Sequence, residues 1–288
     1  MRKILSLDGG GCRGVLPATI LSRIECKTGK KSAQLFDMIA GTSTGALIAC
    51  CLKKGMAASD VIEIYRSESK TIFDKSFWSS LKAGFGLIGS RYPADGIESV
   101  LEKHLEGVLI GTDLPFLLVA SLDFQSGVPR FFKTNDDKNV KLSYAARASS
   151  AAPTYFPPKD GLVDGGVYIN DPSMAALAEG YKLWNEEPMK MLSLGTGFSL
   201  VKETIKGGGL WDWATKILDV VMNGQMGFAA YQTGFTMGHE NFLRIQAPLP
   251  DDINSSLDNT NPNNIEKLID FGHTIFDQNQ EAIMNLLS

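Results

Sequence analysis

The run "GTSTG", Gly41 to Gly45, sets Ser43 between two glycines in the pattern G-x-S-x-G. A serine hydroxyl is a poor nucleophile at neutral pH unless a neighbouring base takes its proton, and the carbonyl it attacks needs donors for the oxyanion that forms. Glycines on either side permit a sharp strand-to-helix turn that exposes the serine and leaves the next backbone N–H free for the oxyanion. For the pentapeptide alone two readings stand, an activated nucleophile or a polar residue in a tight turn.

A second run, "DGGGCRG", covers Asp8 to Gly14. Its G-x-G-x-x-G content would suit a dinucleotide, but that reading wants an acidic residue about twenty positions on, at the end of a second strand. Asp37 lies instead inside the strand that leads to Ser43. Consecutive N–H groups at a helix start also form an anion site, which suits a tetrahedral oxyanion. Arg13 either fixes this loop, meets a phosphate or lies idle at the surface.

The base remains to be found. The chain has three histidines, His104, His239 and His273. The first sits in the charged helical stretch "LEKHLEG", and the others have no motif around them. Asp164, in "GLVDGGVYINDP", ends a short apolar run and is followed at once by Gly165 and Gly166. A carboxylate beside a serine can take its proton directly when the site is partly desolvated. Asp-Gly-Gly by itself is more often an ordinary turn.

Such groups need a frame. "KILSLDGGGCRG" followed by "VLPATILSRIE" reads as strand, loop and helix, and "FDMIAGTSTGALIACCL" repeats the plan, with a buried strand over 36–40 and a helix start over 46–52. Two such units in the first fifty residues predict a parallel α/β sheet. "LPFLLVASLDF", "VPRFFKT" and "MKMLSLGTG" read as further strands. "SDVIEIYRSESKTIF" and "DGIESVLEKHL" read as helices, the C-terminal "NIEKLIDFGHTIFDQNQEAIMNLL" as one or two closing helices, and "APLPDDINSSLDNTNPNN" as a surface loop.

At 288 residues, 44% hydrophobic and 21% charged, the chain can bury a full core. A net charge of -4 without a dense basic run gives no reason to expect a nucleic-acid polymer as partner. Cys12, Cys26, Cys50 and Cys51 lack the spacing of a zinc site and read as free thiols of a reducing compartment. The N-terminal apolar run breaks at Asp8, too early for a signal peptide or a membrane span, so a cytoplasmic origin is expected.

"DGGGCRG", "GTSTG" and "DGG", in this order, resemble the patatin-like phospholipases. "SLGTG" at Ser193 to Gly197 and "YINDPSMAALAEG" are further matches, the latter similar to that family's Asn-x-Pro stretch and helix. The resemblance implies a three-layer α/β/α sandwich around a mostly parallel sheet, and lipid acyl hydrolysis by a Ser-Asp dyad without metal or other cofactor. It makes Ser43 the nucleophile, in an elbow with Gly41 and Gly45, and Asp164 the base. Gly10 and Gly11, in the loop that also holds Gly9, Arg13 and Gly14, become oxyanion donors with the Thr44 amide. The partner is membrane phospholipid, met peripherally. Ala46 replaces a second glycine often found after the elbow; its small side chain still allows close packing.

The likeness covers roughly residues 1 to 200. One domain over 1–288 is expected, with a helical remainder over 201–288. There, Trp211, Trp213, Ile217, Leu218 and Val221 are spaced for one helix face, either buried or touching lipid; burial is the commoner fate of such stripes and is the expectation. Phe73, Phe77, Trp78 and Phe85, among glycines and serines, are expected to border an acyl pocket in part. The same dyad would serve an acyltransferase or a thioesterase, and a lipid-binding or storage protein could keep the fold. Some bacterial members of the family are membrane-degrading effectors, delivered to host cells or switched on by a cyclic nucleotide in phage defence. A phospholipase made without a signal peptide endangers its own membranes, which makes a small-molecule or protein activator physically reasonable.

Overall fold

The computed structural model describes residues 1–74, 89–185, 187–199 and 217–288, with side chains from 220 onward in the last span. Seven strands form one sheet: β1 (Arg2–Leu7), β2 (Met38–Thr42), β3 (Phe116–Asp123), β4 (Pro129–Lys133), β5 (Leu162–Asp164), β6 (Met189–Leu194) and β7 (Phe242–Ile245). Their order is β4-β3-β2-β1-β6-β7, with β5 on β3. β1, β2, β3, β6 and β7 are parallel, and β4 and β5 run antiparallel to β3.

The alternation of side chains along a strand makes two cores from one sheet. Leu5, Ile39, Val119 and Leu192 face one side, where α1 (Val15–Thr28), α3 (Thr44–Lys53), α4 (Ala58–Ile72), α5 (Ala94–Leu105), α6 (Leu142–Ser149) and α9 (Pro262–Leu287) pack; the short α2 (Ser32–Leu35) precedes β2. Ile4, Met38, Leu118 and Met191 face the other, under α7 (Ser173–Trp184) and α8 (Ile217–Met237). This is the three-layer α/β/α arrangement that the resemblance implied. Strands covered on both faces must be apolar along their length, which is why "KILSL" and "MIAG" read as continuous runs.

Local boundaries moved where pairing decides them. The second strand starts at Met38 rather than Phe36, because the Asp37 carboxylate accepts the Lys3 N–H at 2.8 Å and pairs with Arg2 at 3.2 Å, placing Met38 opposite Ile4. The C-terminal segment is one helix, started by Pro262 with the Asn261 side chain accepting from Asn263 N–H at 2.9 Å. Val221, the one member of that stripe whose side chain is described, is 39% exposed rather than buried as expected. Trp211, Trp213 and the side chains of Ile217 and Leu218 lie outside the described residues, as do Phe77, Trp78 and Phe85.

Candidate active site

Successive elements deliver the motifs to the carboxyl edge of the sheet, beside the point where strand order reverses about β1, the usual place for a ligand in such folds. β1 runs into the glycine loop and β2 into Ser43. A helix starts directly after Ser43, so the serine must make the whole turn, and its φ of 56° lies in the left-handed region that a non-glycine residue enters only under constraint. Its N–H donates to Ser149 Oγ at 2.9 Å, and its carbonyl accepts from Ser150 Oγ at 3.4 Å. Ser149 in turn donates to the Ala120 carbonyl at 2.5 Å, tying the turn to β3. A Cβ on Gly45 would stand 2.2 Å from the Leu7 carbonyl oxygen, so the elbow glycine is required by the approach of α3 to β1. Ala46 is fully buried in that contact, as its size allowed.

Asp164 ends β5, held opposite Ser121 of β3. Ser43 and Asp164 line the same cavity, with Ser43 among the neighbours that lower the carboxyl pKa, and Gly166 N–H donates to Oδ1 at 2.7 Å. Only 4% of Asp164 is exposed. Burial pushes its pKa up to about 6, with the Ser43 and Gly166 donors pulling the other way.

The glycine loop is held open on one side by its neighbours. Gly9 N–H donates to the Asn170 carbonyl at 3.1 Å, and Cys12 N–H to the Leu257 carbonyl at 2.8 Å. Between them, Gly10 and Gly11 line the cavity, and no acceptor for either N–H is found among the described residues. Thr196 Oγ1 donates to the Gly9 carbonyl at 2.9 Å and would stand 2.2 Å from a Cβ on Gly10. Thr44 opens α3, so its N–H has no partner inside that helix, and its hydroxyl meets that of Tyr65. Arg13 is not among the cavity-lining residues; its N–H donates to the Gly10 carbonyl at 3.2 Å, and its charge lowers the pKa of Asp8. Its place is behind the loop.

Ser43 and Asp164 open onto a cavity of about 850 Å³ including its mouth. Leu47, Tyr65, Ile72, Phe73, Ile97 and Phe156 form much of its wall. Phe73 therefore borders the pocket as anticipated, packed edge-on to Tyr92 with centroids 5.3 Å apart. None of the three histidines lines it: His104 lies 3.7 Å from Glu68, His239 is exposed and His273 faces Arg23.

Several contributors carried no usable sequence signal. Ser149 and Ser150 lie in "RASSAAP", an ordinary helix end, and Leu257 lies in the segment read as a surface loop, which in fact closes over the glycine loop. Arg244 of β7 donates to Asp8 Oδ1 and to Ser193 Oγ, both at 2.7 Å, with a second bond to Asp8 Oδ2, and stands 3.5 Å from Asp171 Oδ2. Burial lifts Asp8 while Arg244 pulls it down, and the two carboxylates hold the guanidinium charged. This ion cluster lies beneath the start of the glycine loop. Only a fold that brings β7 to β6 could reveal it.

A mostly parallel α/β sheet carrying a serine on a strained strand-to-helix turn, with a buried acid lining the same cavity, fits an enzyme of the serine hydrolase class. The model of the patatin-like phospholipase family matches residues 5–177, more than half of the chain, and the chain belongs to that family of lipid acyl hydrolases. It is 28% identical to patatin-like protein 4 of Arabidopsis thaliana over 96% of this chain and 83% of that protein. It is 27% identical to a cGAMP-activated phospholipase of Pseudomonas aeruginosa, over 86% of this chain and 79% of that one, and 28% identical to patatin-04/09 of Solanum tuberosum, over 96% and 83%.

Proposed function

We propose that the protein hydrolyses fatty-acyl esters of phospholipids through an acyl-enzyme on Ser43. The observation that carries this reading is that Ser43, on its strained turn, and the buried Asp164 carboxylate line one largely apolar cavity. Asp164 takes the hydroxyl proton as Ser43 Oγ attacks the ester carbonyl. The oxyanion is held by the N–H groups of Gly10, Gly11 and Thr44. The alcohol leaves with the proton from Asp164, and a water that gives its proton to the same carboxylate releases the fatty acid. An apolar wall receives a hydrocarbon chain without leaving buried polar groups unpaired.

The test is mass spectrometry of fatty acids and lysolipids released from mixed phospholipid vesicles, with Ser43→Ala beside the native protein. Release by the native protein alone is expected; equal release by both would end the proposal. Adding an alcohol acceptor separates hydrolysis from acyl transfer. The Pseudomonas relative is called cGAMP-activated, and this supports a gate of the same kind here: cyclic dinucleotide added to the vesicle assay is expected to raise the rate, and an unchanged rate would remove that part of the reading.

Proton transfer to Asp164 requires its ionised form. On a soluble ester, kcat/KM is expected to climb with pH through about 6 and then level off, because the free enzyme's base loses its proton there. A profile that is flat from pH 5 to 8 would take the role of base away from Asp164.

A further inference from the structure

α8 carries two unlike faces. Met222 lines the cavity, Met226 receives the Asn170 amide at 3.0 Å, and Thr233 bonds Ser173 at 3.0 Å, so this side is joined to the site. On the other side Val220, Val221, Phe228, Tyr231 and Phe235 are exposed, Phe228 by 63%, Tyr231 by 70% and Phe235 by 78%. At 100° per residue these five fall within an arc of about 100°. A Cβ on Gly224 or Gly227 would meet no atom within 4 Å, so nothing crowds the stripe between the aromatic side chains. The Tyr231 and Phe235 rings stack on each other, 6.4 Å apart.

Residues 220–237 contain no Asp, Glu, Lys, Arg or His. A helix on the surface of a protein in water normally turns charged residues outward, and this one turns apolar and aromatic ones. No described helix is long and apolar enough to cross a membrane, so the geometry is that of a helix lying along an interface.

We propose that the outer face of α8 docks the protein on the surface of a phospholipid bilayer, beside the mouth through which an acyl chain enters. This rests on the proposed lipid substrate, and the occupant follows from continuity: the helix that presents the apolar face also contributes Met222 to the cavity wall, so a bilayer docked on it bears on an element of the site. The absence of cations on the face makes the attraction hydrophobic rather than Coulombic. Neutral phosphatidylcholine is then sufficient, and salt has little effect.

The experiment compares Ser43→Ala protein, which leaves vesicles intact, with the same protein carrying Phe228→Ser and Phe235→Ser. Sedimentation with phosphatidylcholine vesicles at low and high salt is expected to show binding of the first at both, and a loss of roughly tenfold or more for the second, since two phenyl rings no longer enter the bilayer. In the active background, the two serine substitutions are expected to cut vesicle hydrolysis in step with binding while leaving hydrolysis of a soluble short-chain ester unchanged, which also shows that the variant is folded. Equal binding by both proteins, binding confined to anionic vesicles at low salt, or a self-association that the two substitutions abolish would each overturn the bilayer assignment. A native protein that binds vesicles but cleaves neither lipid nor soluble ester would instead sink the proposed hydrolysis and leave the docking surface standing.

Discussion

Asp164→Asn is expected to lower kcat by about 10⁴ and at the same time to make the protein more stable at pH 8. The amide keeps the shape of the carboxylate and an oxygen for the Gly166 N–H, so the turn survives, but it cannot accept the Ser43 proton. Removing the nucleophile costs as much or more, about 10⁶ for Ser43→Ala. Groups that act in one step do not add, and the double variant should lose little beyond Ser43→Ala alone. The stability change has a definite sign. Asp164 titrates at about 6 when folded, above the ordinary carboxylate value, so the folded state holds its proton more tightly than the unfolded chain does. The ionised form therefore weakens the fold, by an amount that grows as pH rises through the interval between the two pKa values and is complete above about 6, reaching up to about 3 kcal/mol. Denaturant unfolding of native and Asp164→Asn protein at pH 5 and pH 8 should show the larger gain at pH 8. A variant that is inactive yet no more stable at pH 8 would mean that the burial of this carboxylate is offset by contacts the amide fails to make.

Arg244→Met is the substitution expected to damage the fold most. Asp8 and Asp171 are fully buried, and Arg244 is the cation against both. Methionine fills similar space but leaves two buried carboxylates without the one cation that pairs with both, at a cost of about 3–5 kcal/mol. Asp8 is the residue from which the glycine loop departs, so loss of hydrolysis should accompany loss of stability. Adding Asp8→Asn should return part of the stability by removing one of the stranded charges, and the deficit of the single variant should shrink as pH falls and Asp8 takes up a proton. Urea unfolding midpoints of the three proteins test this; a single variant within 1 kcal/mol of the native protein would show that the cluster contributes little net stability.

The sequence alone determined what depends on local order along the chain. Apolar runs ending in glycines marked β1, β2 and β6, since strands buried on both faces are mostly apolar and carry a polar residue only where it finds a partner. The elbow at Ser43 was legible because a non-glycine residue between two glycines at a strand-to-helix junction is a backbone requirement written into five adjacent positions. Asp164 was legible as a candidate for the same reason. How these motifs are held lies between distant segments, and only the tertiary structure decided it: Ser43 is pinned by Ser149 and Ser150 at the end of α6, Gly10 is faced by Thr196 after β6, Cys12 is held by Leu257, and Asp8 is paired with Arg244 of β7. Each of these is a through-space pairing of residues whose types are unremarkable where they stand. The stripe on α8 shows the limit most directly. Spacing placed Val221 on a helix stripe, but a buried and an exposed stripe have the same spacing, and the exposure of Val221 was decided by where α7 and the sheet come to lie.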